Sequence, residues 1–329
     1  MRRRLALLIA VLFLLAACSG EAPEEPGQPP AENAPAEEAP TEADFPRTVH
    51  VPAGAEVPAE DVQIPAEPER VAALTYETAA LVADLGAGDR LVMVPAEAAN
   101  PVLATEPAIM EEVEHHIASE SAINAEAVIA ADPDLVVLTD RHGLEEGVGQ
   151  VLTEAGIPVL VLPNTFSSVQ DMTTNIDLVG TALGTEQAAA DLTETLQSGL
   201  ADESDPDGPR VLVLSNQAGR PFVTAGGAFP LEVVRLAGGQ DASESLGMVR
   251  SGPISVEQVL AAEPDRILLV DMNGSGEAIF SELLENPAVA DLPAVAEHEV
   301  LLLEGKYVQA LGMTSTIEGR EQIADWLQR

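Results

Sequence analysis

The segment Ile123–Asp140, INAEAVIAADPDLVVLTD, returns 131 positions later as Ile254–Asp271, ISVEQVLAAEPDRILLVD. Aligned without a gap, the copies are identical at nine of eighteen positions, Glu126/Glu257, Pro133/Pro264 and Asp134/Asp265 among them. In each copy a short helix cannot run past its proline, which lacks the amide donor and clashes with the preceding turn. The apolar run that follows is short, branched and nearly unbroken, the pattern of a strand buried on both faces of a parallel sheet. Helix, Pro-Asp turn and buried strand make one unit of an α/β layer, so two copies predict two such lobes.

The start of the chain reads differently. Arg2, Arg3 and Arg4 precede the apolar run Leu5–Leu15, which is too short for a spanning helix of about 20 residues. Leu15-Ala16-Ala17-Cys18 then has the form of a bacterial lipobox, with Cys18 the lipidated residue and the only cysteine, so no disulfide is available. Ser19–Asp44 is rich in Pro, Glu and Ala and has too little apolar surface to fold, as expected of an extended tether. From Phe45 an entry hairpin leads into strand–helix alternation. The predicted division is residues 1–18 signal peptide, 19–44 tether, 45–184 first α/β lobe, 185–205 linker helix and 206–329 second α/β lobe. The linker stretch Thr185–Asp202 has strong helix formers behind a capping Thr185. The fold class is therefore α/β: two lobes, each a small parallel sheet with helices on both faces, joined once by a long rigid helix.

Charge excludes some partners. Fifteen basic residues stand against 55 acidic ones, a net −40, and Lys306 is the single lysine. Such a surface repels phosphate backbones and anionic lipid headgroups, which argues against nucleic acid and leaves the lipid anchor as the membrane contact. Enzyme signatures are absent: there is no Gly-rich phosphate loop, His-Glu-x-x-His, cysteine pair or Gly-x-Ser-x-Gly.

Ligands of open α/β sheets bind beyond the carboxyl ends of the strands. That rule selects Tyr76, Arg141-His142, Asn164 and Phe166 in the first half, and Asn216–Arg220, Met272-Asn273 and Lys306-Tyr307 in the second. Tyr76 and Tyr307 are the only tyrosines, and with His142 they are the candidate metal donors, a phenolate oxygen suiting ferric iron. Arg220 and Arg250 are scarce cations able to clamp a carboxylate. His115-His116, in a polar loop, reads as solvated because adjacent side chains diverge. Glu126 and Glu257 open equivalent helices, where the helix dipole favours a carboxylate, and form one acidic prong per lobe.

Pro68-Glu69-Arg70-Val71, Leu85-Gly86-Ala87-Gly88-Asp89-Arg90, Ala125-Glu126 through Pro133-Asp134, Ala155-Gly156-Ile157-Pro158, Leu236-Ala237-Gly238-Gly239 and Ile254-Ser255-Val256-Glu257 resemble the substrate-binding lipoproteins of ABC importers for siderophores, haem and cobalamin. The resemblance spans Phe45 to the C-terminus. It implies a cleft with little hinge closure, and one glutamate per lobe, here Glu126 and Glu257, pairing with arginines of a two-fold permease that carries a cytoplasmic ATPase. It further implies a monomeric, non-enzymatic receptor on the outer face of the cell membrane, without a resident cofactor, whose ligand is a ferric-siderophore or haem-like iron complex. A haem pair drawn from Tyr76, His142, Met272 or Tyr307 is compatible with it. Aromatic residues make up 3% of the chain, which weighs against cobalamin, whose pockets in the family are aromatic-walled. Cobalamin or another metal chelate is the alternative ligand, and a sensing co-receptor without transport is the alternative role.

Overall fold

The computed structural model describes residues 44–55, 57–139, 145–310 and 313–329. The signal segment, Cys18, most of the tether, and Arg141 and His142 lie outside the described residues. The chain enters through the antiparallel pair β1 (Arg47–Val51) and β2 (Glu60–Ile64). Their alternation points Val49, Val51, Val62 and Ile64 into the core. Next come β3 (Val71–Ala73), α1 (Tyr76–Val82), β4 (Leu91–Pro95), α2 (Pro107–Glu111), β5 (His115–Ile117), α3 (Ala125–Ala130), β6 (Leu135–Thr139), α4 (Glu145–Glu154) and β7 (Val159–Leu162). Among the described residues, β5-β4-β3-β6-β7 form a parallel sheet in that order. Thr75 and Thr78 close a capping box at the start of α1, and Gly86, at φ 76°, turns the chain beyond its end.

Two helices lead to the second half: α5 (Val169–Leu183), capped by Ser168 and closed by Gly184 at φ 74°, and α6 (Glu186–Gly199). The helix thus ends at Gly199, short of both the predicted stretch Thr185–Asp202 and the linker bound at 205, and Thr185 sits at the N-cap position without making a cap bond; its hydroxyl is buried and unpaired. The helices pack closely, since a Cβ on Gly180 would stand 2.5 Å from that of Ala189.

The second half contains β8 (Arg210–Gln217), β9 (Arg220–Val223), α7 (Phe229–Leu236), β10 (Gln240–Asp241), β11 (Gly252–Pro253), α8 (Val256–Ala262), β12 (Arg266–Asp271), α9 (Gly276–Leu284), α10 (Pro287–Ala290), α11 (Pro293–Ala296), β13 (Val300–Glu304) and α12 (Ser315–Leu327). Its sheet runs β11-β9-β8-β12-β13, with β10 also on β8. β10, β8, β12 and β13 are parallel, as expected, but β9 and β11 are antiparallel additions at one edge. The reason is local: Ala218 and Gly219, at φ 48° and 73°, form a two-residue turn whose backbone twist suits a hairpin. Asn216, Gln217 and Arg220, expected in a loop, thus belong to strands. The same correction applies to His115-His116, which lie in edge strand β5 opposite Met93 and Val94.

The repeat has a physical purpose. Asp134, in the turn after α3, accepts hydrogen bonds from the N–H groups of Glu69 (2.8 Å) and Arg70 (2.9 Å), at the threshold of β3. Arg70 returns its guanidinium to the carbonyls of Ala131 (2.6 Å) and Asp132 (2.7 Å), which the end of α3 leaves unpaired. In the second copy Asp265 accepts from Arg210 N–H (2.8 Å), and Arg210 donates to the carbonyl of Ala262 (2.9 Å) at the end of α8. Asp132 and Glu263, equivalent in the repeat, both adopt positive φ, at 52° and 44°. One Arg–Asp clasp per lobe ties a helix end to the neighbouring strand.

The chain passes between the lobes through α6, and non-covalent contacts add a second tie. Besides α6, the segment after β4 crosses to the second half: Lys306 N–H donates to Val102 O (2.9 Å), Lys306 Nζ to Pro101 O (3.3 Å), Asn100 Nδ2 to Met272 O (3.4 Å), and Thr105 Oγ1 meets Ser315 Oγ (2.9 Å). Gly305 lets the two sides close, for a Cβ there would lie 2.5 Å from Leu103. One apolar cluster continues through the seam, from Val71, Leu135 and Leu162 to Val213, Val270 and Leu303.

Asp134→Ala and Asp265→Ala should each lower the unfolding free energy by about 1–2 kcal/mol, the scale of a hydrogen bond to a charged group at a partly exposed site. Urea titration of the single variants checks this. Unchanged midpoints would show that the clasps are incidental.

Candidate functional site

The carboxyl ends of both sheets carry the loops that the sequence selected. Tyr76 is the first residue of α1, directly beyond β3, and its N–H donates to Glu120 Oε1 at 2.7 Å. Its half-buried side chain lines a cavity of about 10 Å³ with Asp84, Leu103, Ala104, Thr105, Glu106 and Met110, room for one water. Burial, with Glu106 adding its charge, pushes the Asp84 carboxyl up to about 7. On the other side of the seam, Met272 follows β12 and receives the Gln309 amide on its sulfur (3.5 Å). Tyr307 packs beside the shared core with the Lys306 ammonium 5.3 Å from its ring centroid, while that ammonium also pairs with Glu304 (2.7 Å). The structure thus gathers Met272, Lys306 and Tyr307 with the Asn100–Thr105 crossing, and places Tyr76 at the crossing's other flank.

Other selected residues are turn-makers. The half-buried Asn164 accepts from Phe166 N–H (3.0 Å) and Asn175 Nδ2 (2.8 Å), and this holds the turn after β7. Phe166 is fully buried at φ 57°, so it faces the core. Asn216 is fully buried beneath the turn after β12. The histidine pair serves the fold: His116 Nε2 lies 2.9 Å from Met110 O, and His115 stands 3.7 Å from Glu114. Among the described residues no group of three His, Cys, Asp or Glu side chains is placed to hold a metal ion.

Most of the described arginines are engaged. Arg47, Arg90, Arg235, Arg266 and Arg320 pair with carboxylates, and Arg70 and Arg210 close the clasps. The side chains of Arg220, Arg250 and the last residue, Arg329, are exposed and make no ion pair or hydrogen bond among the described residues. Arg220 opens β9 opposite Gln217, the last residue of β8, and lies 5.5 Å from the Phe222 ring centroid. Arg250 follows the highly exposed Val249 (86%) and stands against Gly226.

Glu126 and Glu257 are exposed, each the second residue of its helix, behind Asn124 and Ser255 caps that accept from Ala127 N–H (3.1 Å) and Gln258 N–H (3.3 Å). The Glu257 carboxyl is held below the usual range by its own backbone N–H and by Ser255. Sequence reasoning passed over Glu77 and Glu120, carboxylates 2% and 7% exposed at the start of α1. Glu77 occupies the first turn behind Thr75, a position that ordinary capping chemistry accounts for, so nothing marked it as buried.

With this geometry in place, the likenesses to known proteins are informative. The periplasmic binding protein family matches residues 71–307. An uncharacterized ABC transporter substrate-binding lipoprotein, YvrC, of Bacillus subtilis (strain 168) is 25% identical over 277 residues, 81% of this chain and 82% of the relative. The vitamin B12-binding protein of Yersinia pestis (strain Pestoides F) is 30% identical over 204 residues, 61% of this chain and 69% of the relative. Among solved structures, the periplasmic heme-binding protein RhuT from Roseiflexus sp. RS-1 in apo form has the same fold, with a TM-score of 0.66 at 24% identity over 79% of this chain and 99% of that one.

The Asp84 cavity carries a pH signature. Its folded pKa lies above its ordinary value of 3.8, so the fold favours the protonated acid. The resulting stability is complete below that ordinary value and is lost as pH rises through about 7. Asp84→Asn, which stays neutral, should flatten the fall in Tm between about pH 4 and pH 8, as read by thermal unfolding across that range. An equal pH slope in variant and parent would refute it.

Proposed function

The chain belongs to the periplasmic binding protein family, and from that premise we propose that it captures an anionic iron chelate, a ferric siderophore or haem, between its two lobes for an ABC importer. Its curated relatives are substrate-binding proteins, and the chain is a binding protein of the ABC transporter type rather than an enzyme. The observation that carries the ligand class is the pair of unneutralised arginines. In a chain of net −40, Arg220 and Arg250 alone of the selected residues offer exposed guanidinium groups free of carboxylates among the described residues. Haem propionates or the oxygens of a ferric siderophore would complete their bidentate donors. Tyr76 and Tyr307 supply phenolic oxygens, and Arg141 and His142 complete the proposed set from outside the described residues.

A second reading, cobalamin, is favoured by the 30% identity to a vitamin B12-binding protein. Titration separates the two. Purified protein is mixed with haemin, ferric hydroxamate and catecholate siderophores, and cyanocobalamin, and binding is followed by calorimetry and by absorbance. Tryptophan emission is the wrong probe, because Trp326 is buried beside Arg266 at the amino end of β12, away from the strand-end loops. One anionic chelate class should bind tightly at one per chain. Arg220→Ala combined with Arg250→Ala should weaken it about tenfold or more, the scale of one charge-assisted bond. Tight binding of cobalamin alone would overturn the iron reading.

The export signal and Cys18 support an extracytoplasmic protein held at the outer face of the cell membrane by lipid, with 19–44 as its tether. Glu126 and Glu257 suit docking to a two-fold permease driven by a cytoplasmic ATPase. Rim charges act mainly on association rate and salt dependence. Glu126→Ala or Glu257→Ala should therefore reduce uptake into cells while leaving ligand affinity and Tm unchanged, and the double variant should nearly abolish uptake. Normal uptake by the double variant would sink the docking role, as would a parallel loss of ligand affinity.

A further inference from the structure

The side chain of Asn216 is fully buried near the end of β8, where the preceding residues Leu212, Val213 and Leu214 are apolar. A buried amide is costly unless its donors and acceptor are used. Here every one of them goes to a single turn. Oδ1 accepts from Met272 N–H at 2.6 Å. Nδ2 donates to Asp271 Oδ1 at 2.9 Å, to Asn273 Oδ1 at 2.8 Å and, at greater length, to Ser275 Oγ at 3.3 Å. Only the bond to Asp271, the last residue of β12, touches that strand; the main-chain ladder between β8 and β12 is already complete to Val270 without it.

The turn itself would not keep this shape alone. Gly274 is at φ 81°, and Asp271 Oδ1 accepts from the N–H groups of Asn273 (3.1 Å) and Gly274 (2.9 Å). Burial opposes ionisation of Asp271, but the bonds from Asn273, Asn216 and Gly274 outweigh it and hold the carboxyl below its usual range. The turn is also met from the other lobe: Met272 O accepts from Asn100 Nδ2, and Val102 approaches Gly274. Asn273 remains exposed and Met272 half-exposed.

We infer that Asn216 is a positioning residue for ligand capture, fixing the turn Met272–Ser275 from beneath so that Met272 and Asn273 present one arrangement to a chelate held between the lobes. This rests on the reading of the strand-end loops as the ligand site. An amide is required because the turn presents both an N–H to be accepted and carboxylate and amide oxygens to be donated to. A leucine would fill the space and leave them unpaired, and an aspartate would face the Asp271 carboxylate.

The test uses the mature protein with haemin, a ferric hydroxamate and cyanocobalamin as probes, and compares Asn216→Asp with the milder Asn273→Ala, which removes one acceptor at an exposed position. Hydrogen exchange in the absence of probe is read residue by residue. The expected result is faster exchange confined to Met272–Ser275, with the amides of β8 and β12 as protected as in the parent. Affinity for the probe that the parent binds should fall about tenfold or more in Asn216→Asp and by less in Asn273→Ala. If Asn216→Asp does not fold, Asn273→Ala must still show both localised exchange and weakened binding. A purely structural role would instead spread exchange through β8 and β12 and leave the affinity of the folded fraction unchanged, which overturns the inference. So does unchanged affinity with a loosened turn. A parent that binds none of the probes overturns the functional reading itself, and this inference with it.

Discussion

The clasp between an arginine and an aspartate at the amino edge of each sheet is what the rest of the structure depends on. A helix that ends leaves carbonyls without partners, and a strand that begins leaves amides without partners. Arg70 and Asp134 answer both needs at once in the first lobe, as Arg210 and Asp265 do in the second. Because each pair joins a helix end to the neighbouring strand, it sets β3 against β6 and β8 against β12 in fixed register. Strand ends on the opposite edge are then level, and the loops that leave them have a common floor to stand on. The loops at the strand ends are therefore positioned by chemistry at the far side of the sheet.

The seam extends that order from one lobe to the other. A helix alone would allow the halves to rock about it, whereas a main-chain bond from Lys306 to Val102, closed around a glycine, fixes their separation locally. The turn over Asn216 stands where these constraints meet. It is anchored below by β8, and touched from across the seam by Asn100 and Val102. Polar side chains do this work because the groups to be satisfied are main-chain ones at strand ends, which apolar packing cannot satisfy.

Much of the architecture was legible because it rests on periodicity and punctuation. The repeat announced the two lobes, Gly86 and Gly184 marked turns at positive φ, and α7 occupies the predicted residues Phe229–Leu236. The arginine half of the clasp was hidden, since Arg70 follows Glu69 and Arg210 follows Pro209, so no local motif links them. The hairpin at Ala218-Gly219 escaped notice because alanine gives no sign of the positive φ it adopts there. At the site the ambiguity is deeper. Asn164 and Asn216 sit at strand ends like ligand contacts, yet their amides face inward to hold turns. Composition cannot tell an asparagine that meets a guest from one that shapes the loop which does; only the direction of its bonds separates them.

For the role proposed above, as the receptor of an importer, the stitched seam would also bear on traffic at a membrane. A receptor whose halves swing shut announces its cargo by a change of outline, and a partner can wait for the closed form. In that role, a receptor sewn together through Lys306 and Val102 would offer much the same silhouette whether laden or vacant. Vacant copies would then queue at the same gate as laden ones, and each vacant visit would occupy the gate for nothing. Throughput would then follow the ratio of laden to vacant copies and the speed at which a spent one departs, so overproducing such a receptor when its cargo is scarce would slow delivery.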